Sequence, residues 1–279
     1  MLEASAVNRS RVETRTTGFG PAEIQLFSGA GDIDWSVDRS KLDTFDEILG
    51  VTPPNIQKLW MPRPTEANGE LAPQGDFSPL FDGHEHPIIM GNCDADGCIV
   101  RHGDAFGLLS ADCATLVAYA DDMVIAAHAG RDSVMDRTVI AGGDPSRDYS
   151  GILESIVVEF LDAGYRPQDV HLGIFGGIQS NFLHDPTHPE YGEYNRGLIH
   201  YAKQFEGALI NEEIGDINMN ALIRAKATQI YGINPDKIID DGVDSGSDRD
   251  AHGNLLWASH RHAKNGHRER NFILVRHTQ

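Results

Sequence analysis

Residues 105–131 read AFGLLSADCATLVAYADDMVIAAHAGR, and this stretch decides the fold. One apolar run leads into Cys113 and a second leads into His128, with an acidic pair between them that predicts a tight turn. Two such neighbouring strands would bring the thiol and the imidazole to one rim. That pair makes either part of a zinc site or a nucleophile with its base. The stretch predicts strands over 106–109, 115–119 and 123–128.

A buried structural cysteine near an unrelated histidine is the simpler interpretation, because free cysteine is among the most buried residue types. Two features of the sequence argue against a purely structural cysteine. Asp112 precedes the cysteine, and a Gly130-Arg131 turn follows the histidine. Polar groups and a tight turn therefore stand where a core strand would simply continue.

The rest of the chain alternates strands with helices and predicts an α/β fold, a single domain of mixed sheets with flanking helices. We expect a flexible N-terminus over 1–20, a domain over 21–279 and a long loop over 61–87. Such a long loop in a compact domain is often functional. Further strands are expected at 24–27, 98–100, 170–175, 255–259 and 272–276, and helices at 40–49, 152–161 and 217–231.

The charge of the chain limits its partners. Its 279 residues include 23 Lys plus Arg against 42 Asp plus Glu, a formal net charge of −19. This excess argues against nucleic acid and membrane surfaces, which both attract clustered Lys and Arg. Basic residues gather near the C-terminus, where Arg261 and Arg268 predict a pocket for a small anion; a solvated loop is the alternative.

Cysteine usage and hydropathy predict a cytoplasmic protein. No apolar stretch approaches the ~18 residues of a membrane span, and the first residues do not read as a signal peptide. Three cysteines form no even disulfide framework, which suits a compartment where thiols stay reduced. Cys93 and Cys98 lack the spacing of a zinc knuckle and are expected to be structural.

Five motifs follow one another along the chain: an acidic segment at 94–97, Ala-Asp-Cys at 111–113, His-Ala-Gly at 128–130, a helix over 216–232 that ends in glycine, and a Ser-His-Arg-His then Gly-His-Arg segment at 259–268. In this order they resemble the YfiH family, also called the polyphenol oxidase or laccase-domain family. The resemblance extends from about Ile24 to Arg276.

The resemblance implies the cytotoxic-necrotising-factor/YfiH-like fold and a zinc site of one cysteine and two histidines, with copper-linked oxidase activity claimed for some members. It implies purine nucleoside phosphorolysis or adenosine deamination, with a nucleoside and phosphate as partners. Cys113 and His128 match the cysteine and the second histidine. The first histidine is missing from 57–62, and His84 or His86 in the long loop could replace it.

If zinc is bound, it makes a nucleophile of bound water, and Asp112 or Asp96 would shuttle a proton. Arg261 or Arg268 would hold phosphate. The family's Trp-Arg-Gly is absent after His128-Ala129-Gly130, so Arg131 is the candidate for that arginine.

A second class of function needs no metal. By resemblance, the same fold group includes cysteine hydrolases such as glutamine deamidases, in which His128 would activate Cys113 for attack on an amide. A third possibility is an inactive binding protein that keeps the fold. The sequence does not set the oligomeric state.

Overall fold

The computed structural model describes residues 14–29, 45–64, 69–80, 88–143, 151–261 and 270–278. Within these ranges the strands are β1 (Thr14–Phe19), β2 (Ala22–Phe27), β3 (Lys58–Trp60), β4 (Ser78–Pro79), β5 (Ile88–Gly91), β6 (Gly97–Val100), β7 (Ala105–Ser110), β8 (Ala114–Ala120), β9 (Met123–Ala129), β10 (His171–Phe175), β11 (Leu209–Asn211), β12 (Asp216–Ile217), β13 (Ile238–Asp240) and β14 (Asn271–His277). The α-helices are α1 (Asp46–Val51), α2 (Arg131–Val134), α3 (Ile152–Asp162), α4 (Gly192–Ala202) and α5 (Met219–Gln229).

Two mixed sheets form the centre of the fold. One has the order β1-β2-β14-β7-β3-β5-β4, and the other has the order β13-β10-β8-β9-β6. Strands β11 and β12 form a separate small pair. The expected α/β architecture of mixed sheets with flanking helices is confirmed.

Alternating side chains of the strands divide the core into layers. In β8, Leu116 and Ala118 pack with α3 and α5 on the outer face of the five-stranded sheet. Val117, between them in sequence, points the other way and packs between the two sheets with residues of β2, β7 and β14. The far face of the seven-stranded sheet is covered by α1.

The hairpin of β8 and β9 is the predicted one. Ala120 pairs with Met123, so the two strands are joined by Asp121 and Asp122 alone. Asp121 has a φ of 50°, a left-handed conformation that aspartate tolerates better than most residues. The hairpin therefore fixes which residues of the two strands lie opposite each other.

Several predicted elements need correction. Residues 14–19 of the expected flexible N-terminus form β1, because they pair in register with β2. The helix expected at 40–49 is α1, at Asp46–Val51; residues 40–44 lie outside the described ranges. The long loop over 61–87 contains a 3-10 helix, Gln74–Asp76, and the short strand β4.

The strand expected at 255–259 is wrong. Leu255 makes one isolated bridge with Arg249, and the amide of Ala258 instead donates to Oδ1 of Asn271 at 2.8 Å. The Asn271 side chain in turn donates to the Ala258 carbonyl at 3.0 Å. A side chain thus satisfies the backbone groups that a neighbouring strand would otherwise pair.

The helices expected at 152–161 and 217–231 are confirmed as α3 and α5. Asn218 caps α5 by accepting a hydrogen bond from the amide of Ala221 at 2.9 Å. None of the helices in the described ranges is long and apolar enough to cross a membrane.

Candidate functional site

A cavity of about 690 Å³ opens where β7 ends and β8 begins. Its lining comes from the end of β7 and the segment before β8, from the end of β9 and the residues after it, and from residues in the second half of the chain. The lining residues are Leu109, Ser110, Ala111, Asp112, Cys113, His128, Gly130, Arg131, Asp132, Phe182, His260, Arg261 and Arg270. Cys113 and His128 therefore both line this cavity.

The register of the five-stranded sheet places an acid beside His128. Gly97 pairs with Ala127, so Asp96 lies opposite His128, and its carbonyl accepts a hydrogen bond from the His128 amide at 2.8 Å. On the other side Thr115 pairs with His128. Asp96, His128 and Thr115 thus form one row across three strands.

The imidazole of His128 is held by a buried carboxylate. Its Nδ1 lies 2.7 Å from Oδ1 of Asp96, and Asp96 is 0% exposed. The other carboxylate oxygen accepts a hydrogen bond from the amide of Gly69 at 2.6 Å. Because a carboxylate accepts, Nδ1 carries a proton, and the ring turns Nε2 away from Asp96.

Cys113 meets the other side of this ring. Its thiol lies close enough to the imidazole for the two groups to influence each other electrostatically, and Cys113 is half-buried at the cavity. A Cβ at Gly130 would stand 3.1 Å from Nε2 of His128 and 3.6 Å from Sγ of Cys113. The two side chains therefore converge over a glycine that leaves them room.

The pKa of His128 reflects these two neighbours. Burial by itself lowers it, but the charge of Cys113 and the hydrogen bonds to Asp96 and Cys113 outweigh burial and raise the pKa to about 10. Both neighbours therefore favour the protonated form of the imidazole, which lies between a sulfur and a carboxylate.

Asp112 lies at the same cavity but is already engaged. One carboxylate oxygen accepts from the hydroxyl of Ser245 at 2.9 Å, and the other accepts from the amide of Arg261 at 3.1 Å. Asp112 therefore ties two later loops to the residue before Cys113.

Two of the predicted substrate-binding arginines line the cavity. Arg131 makes a bidentate contact with Asp132, with nitrogen–oxygen distances of 2.9 and 3.4 Å. Arg261 also lines the cavity, where desolvation and the nearby charge of Arg131 lower its pKa. Arg268 lies outside the described residues.

A complete metal site is not formed by the residues that the structure describes. Cys113 and His128 supply two of the three protein ligands that a catalytic zinc needs, and no group of three His, Cys, Asp or Glu among the described residues could hold an ion. His84 and His86 lie outside the described ranges. In the segment 57–62, which lacks the motif's histidine, Leu59, Trp60 and Met61 are buried in apolar clusters.

The other two cysteines have no place at the site. Cys93 and Cys98 are buried in the layer between the sheets, and burial first of all raises the pKa of both thiols. This fits the structural role that their spacing predicts.

Sequence reasoning missed Phe182 and Ser245. Phe182 lines the cavity, and Ser245 holds Asp112 by a hydrogen bond. Both come from loops more than sixty residues beyond Cys113, and neither belongs to one of the five motifs. The glycine pair before Phe182 was a signal: Gly176 and Gly177 have φ values of 67° and 101°, which turn the chain after β10 towards the site.

No family model matches the sequence, and no curated protein sequence matches it. Solved structures do match. The hypothetical protein YfiH of Bacillus licheniformis is similar with a TM-score of 0.57 and 16% identity, over 91% of this chain and 92% of the other. YlmD of Geobacillus stearothermophilus gives 0.56 and 14%, over 94% and 93%.

Neisseria meningitidis protein NMB0706, of family model DUF152, is similar with a TM-score of 0.51 and 12% identity, over 95% of this chain and 99% of the other. At such identities the likeness concerns the fold, and it extends over nearly the whole of each chain. The resemblance carried by the five motifs is thus confirmed in three dimensions, and the chain is a protein of the YfiH fold.

Proposed function

We propose that this protein is a hydrolase of carbon–nitrogen bonds, with Cys113 as nucleophile, His128 as proton donor and acceptor, and Asp96 as the group that orients His128. The observation that carries the proposal is the arrangement of three side chains, in which the imidazole contacts a fully buried carboxylate through Nδ1 and has Nε2 and the Cys113 thiol together above Gly130. A nucleophile, its base and a third group that orients the base are the parts of a catalytic triad.

In the first step the Cys113 thiolate attacks the carbon of an amide, forming a carbon–sulfur bond. The imidazolium of His128 gives its Nε2 proton to the departing nitrogen, which leaves as ammonia or an amine. Neutral His128 then takes a proton from water, the hydroxide attacks the thioester, and the carboxylic acid and the thiolate are released. The overall change is amide plus water to acid plus amine.

The protonated state of His128 favours nitrogen as the leaving atom. An amine is a poor leaving group unless it is protonated, and a general acid supplies that proton as the bond breaks. The raised pKa of His128 favours the protonated ring that this step requires.

Release of ammonia from a panel of small amides tests the proposal. The protein is first treated with a chelator, and the wild type is compared with Cys113→Ala. We expect ammonia from the metal-depleted wild type and none from the variant, with a covalent acyl adduct on Cys113 in intact-protein mass spectra. Ammonia release that persists in Cys113→Ala would overturn the proposal.

A second candidate is a zinc-dependent purine nucleoside enzyme that carries out phosphorolysis or deamination of adenosine-type nucleosides, with copper as the less favoured metal. It is supported by the five motifs and by the Asp96–His128 contact, because histidines that bind metal commonly donate their other ring N–H to a carboxylate. Cys113, His128 and either His84 or His86 would hold the ion.

Metal analysis distinguishes the two candidates. The second predicts about one zinc per chain, loss of that zinc in a His84→Ala/His86→Ala double variant, and formation of inosine or hypoxanthine from adenosine. If neither ammonia nor nucleoside products form with either preparation, the remaining candidate is a binding protein that keeps the fold without activity.

A further inference from the structure

The lining of the cavity includes two guanidinium groups, those of Arg131 and Arg261, that have no role in the proposed hydrolysis. Arg131 follows β9 and Arg261 follows the segment tied to Asn271, so they reach the cavity from parts of the chain 130 residues apart. Both line it together with Cys113 and His128.

Each guanidinium is held against an aromatic ring. The Cζ of Arg261 lies 4.6 Å from the centroid of the Phe182 ring, and Nη1 donates to the carbonyl of Leu183 at 3.4 Å. The Cζ of Arg131 lies 5.4 Å from the centroid of the Tyr194 ring. Contact with a ring face restrains the planar group before any ligand arrives.

Acidic partners neutralise this pair only in part. Asp132 contacts Arg131 but also pairs with Arg137, so one carboxylate is shared by two guanidinium groups. Asp112 uses its two oxygens for Ser245 and a backbone amide. In the described part of the chain Arg261 makes no ion pair with a carboxylate.

We propose that Arg131 and Arg261 bind an anionic group of the substrate, a carboxylate or a phosphate, and that this group selects which amides reach Cys113. The inference rests on the proposed function. A guanidinium fork matches the two oxygens of a carboxylate or phosphate.

The overall charge makes such a site selective. In a protein with a net charge of −19, most of the surface repels anions, and a local excess of positive charge directs them to one cavity. Among the described residues, three arginines and two aspartates line this cavity, and the further guanidinium of Arg137 contacts one of those aspartates.

Two alkylating reagents that differ in charge test the inference. Iodoacetate carries a carboxylate and iodoacetamide carries an amide in its place, so the ratio of their rates at Cys113 reports the preference for an anion. Arg261→Gln or Arg131→Gln should lower this ratio about tenfold or more, the effect expected when a charge-assisted contact is lost. Alkylation is followed by mass spectrometry of the peptide that contains Cys113.

Arg166→Gln is the matched control, because it removes the same charge from a side chain 75% exposed that precedes β10 at the far end of the sheet. The ratio should not change in this variant. Inorganic phosphate and glutarate, each at an ionic strength matched with sodium chloride, should slow iodoacetate, and the stronger competitor identifies the anionic group.

The outcomes separate the two proposals. A ratio that neither arginine variant lowers, with no competition by phosphate or glutarate, overturns the anion site while Cys113 still reacts with both reagents. A Cys113 that reacts with neither reagent overturns the proposed nucleophile, and the anion site with it.

Discussion

Replacement of Asp96 by asparagine should change both the pKa and the tautomer of His128. The carboxylate lies 2.7 Å from Nδ1 of His128 and is fully buried. A hydrogen bond to a charged group contributes about 1.5–3 kcal/mol. Since one pH unit corresponds to about 1.4 kcal/mol, Asp96→Asn should lower the pKa of His128 from about 10 by about one to two pH units.

The tautomer follows from the second contact of Asp96. The amide of Gly69 donates to one carboxylate oxygen, so the asparagine oxygen should stay there and its NH₂ group should face His128. A proton on Nδ1 would then face a second donor, the NH₂ group of the asparagine. The neutral ring would therefore accept a hydrogen bond at Nδ1 and carry its proton on Nε2. That ring can no longer take a proton from water or a thiol through Nε2.

NMR titration of the histidine Cε1–H resonances measures this change, with the His128 signal assigned by its absence in His128→Gln. Asp104→Asn is the control. It removes another buried carboxylate, which accepts from Nε1 of Trp60 at 3.0 Å, at the opposite end of β7. If Asp96→Asn leaves the pKa of His128 at the wild-type value, the Asp96 contact does not hold the imidazolium and our account of the site is refuted.

Three further predictions concern reactivity, acid stability and packing. Iodoacetamide should modify Cys113 well before the two cysteines buried between the sheets, as peptide mass spectrometry would show; equal labelling of all three would contradict the fold around the site. Burial and the charges of two arginines lower the pKa of His184 to about 4. As the pH falls from about 6.5 to 4, His184 is therefore protonated in the unfolded protein before it is protonated in the folded protein. This difference should lower the free energy of unfolding by about 3 kcal/mol. Urea unfolding should show a loss of stability over this pH range that is about 3 kcal/mol smaller in His184→Gln than in the wild type and in His200→Gln. Gly130 has an ordinary φ of −75° yet an added Cβ would come within 2.6 Å of Cε1 of His128, so Gly130→Ala should lower the pKa of His128 while the circular dichroism spectrum stays unchanged.

The central hairpin could be predicted because its information is local. Apolar residues fill β8 and β9, and two aspartates between them leave room only for a tight turn. With that hairpin, a thiol just before one strand and an imidazole near the end of the other must come to one edge. The pairing of Asp96 with His128 needed one more fact, the register of β6 on β9, which no local pattern specifies.

Other parts depended on contacts between distant segments. Residues 255–259 have the apolar character of a strand, yet the side chain of Asn271 takes over their hydrogen bonds. Helix α4 begins with a glycine and mixes polar with apolar residues, so the sequence does not show which of its faces is buried. That face is identified by the packing of Ile140 against Gly197. Arg131 and Arg261 are likewise distant in sequence, and only the folded chain brings them to one cavity.

The ionisation state of His128 in the chelator-treated wild-type protein tests the account most directly. Nitrogen-15 NMR of the imidazole at pH 8 distinguishes a ring protonated on both nitrogens from a neutral one. Our account predicts both nitrogens protonated, with no change when one equivalent of zinc is added at the same pH. A neutral ring at pH 8, or a ring nitrogen that loses its proton when zinc binds, would contradict the nucleophile and support the metal enzyme instead.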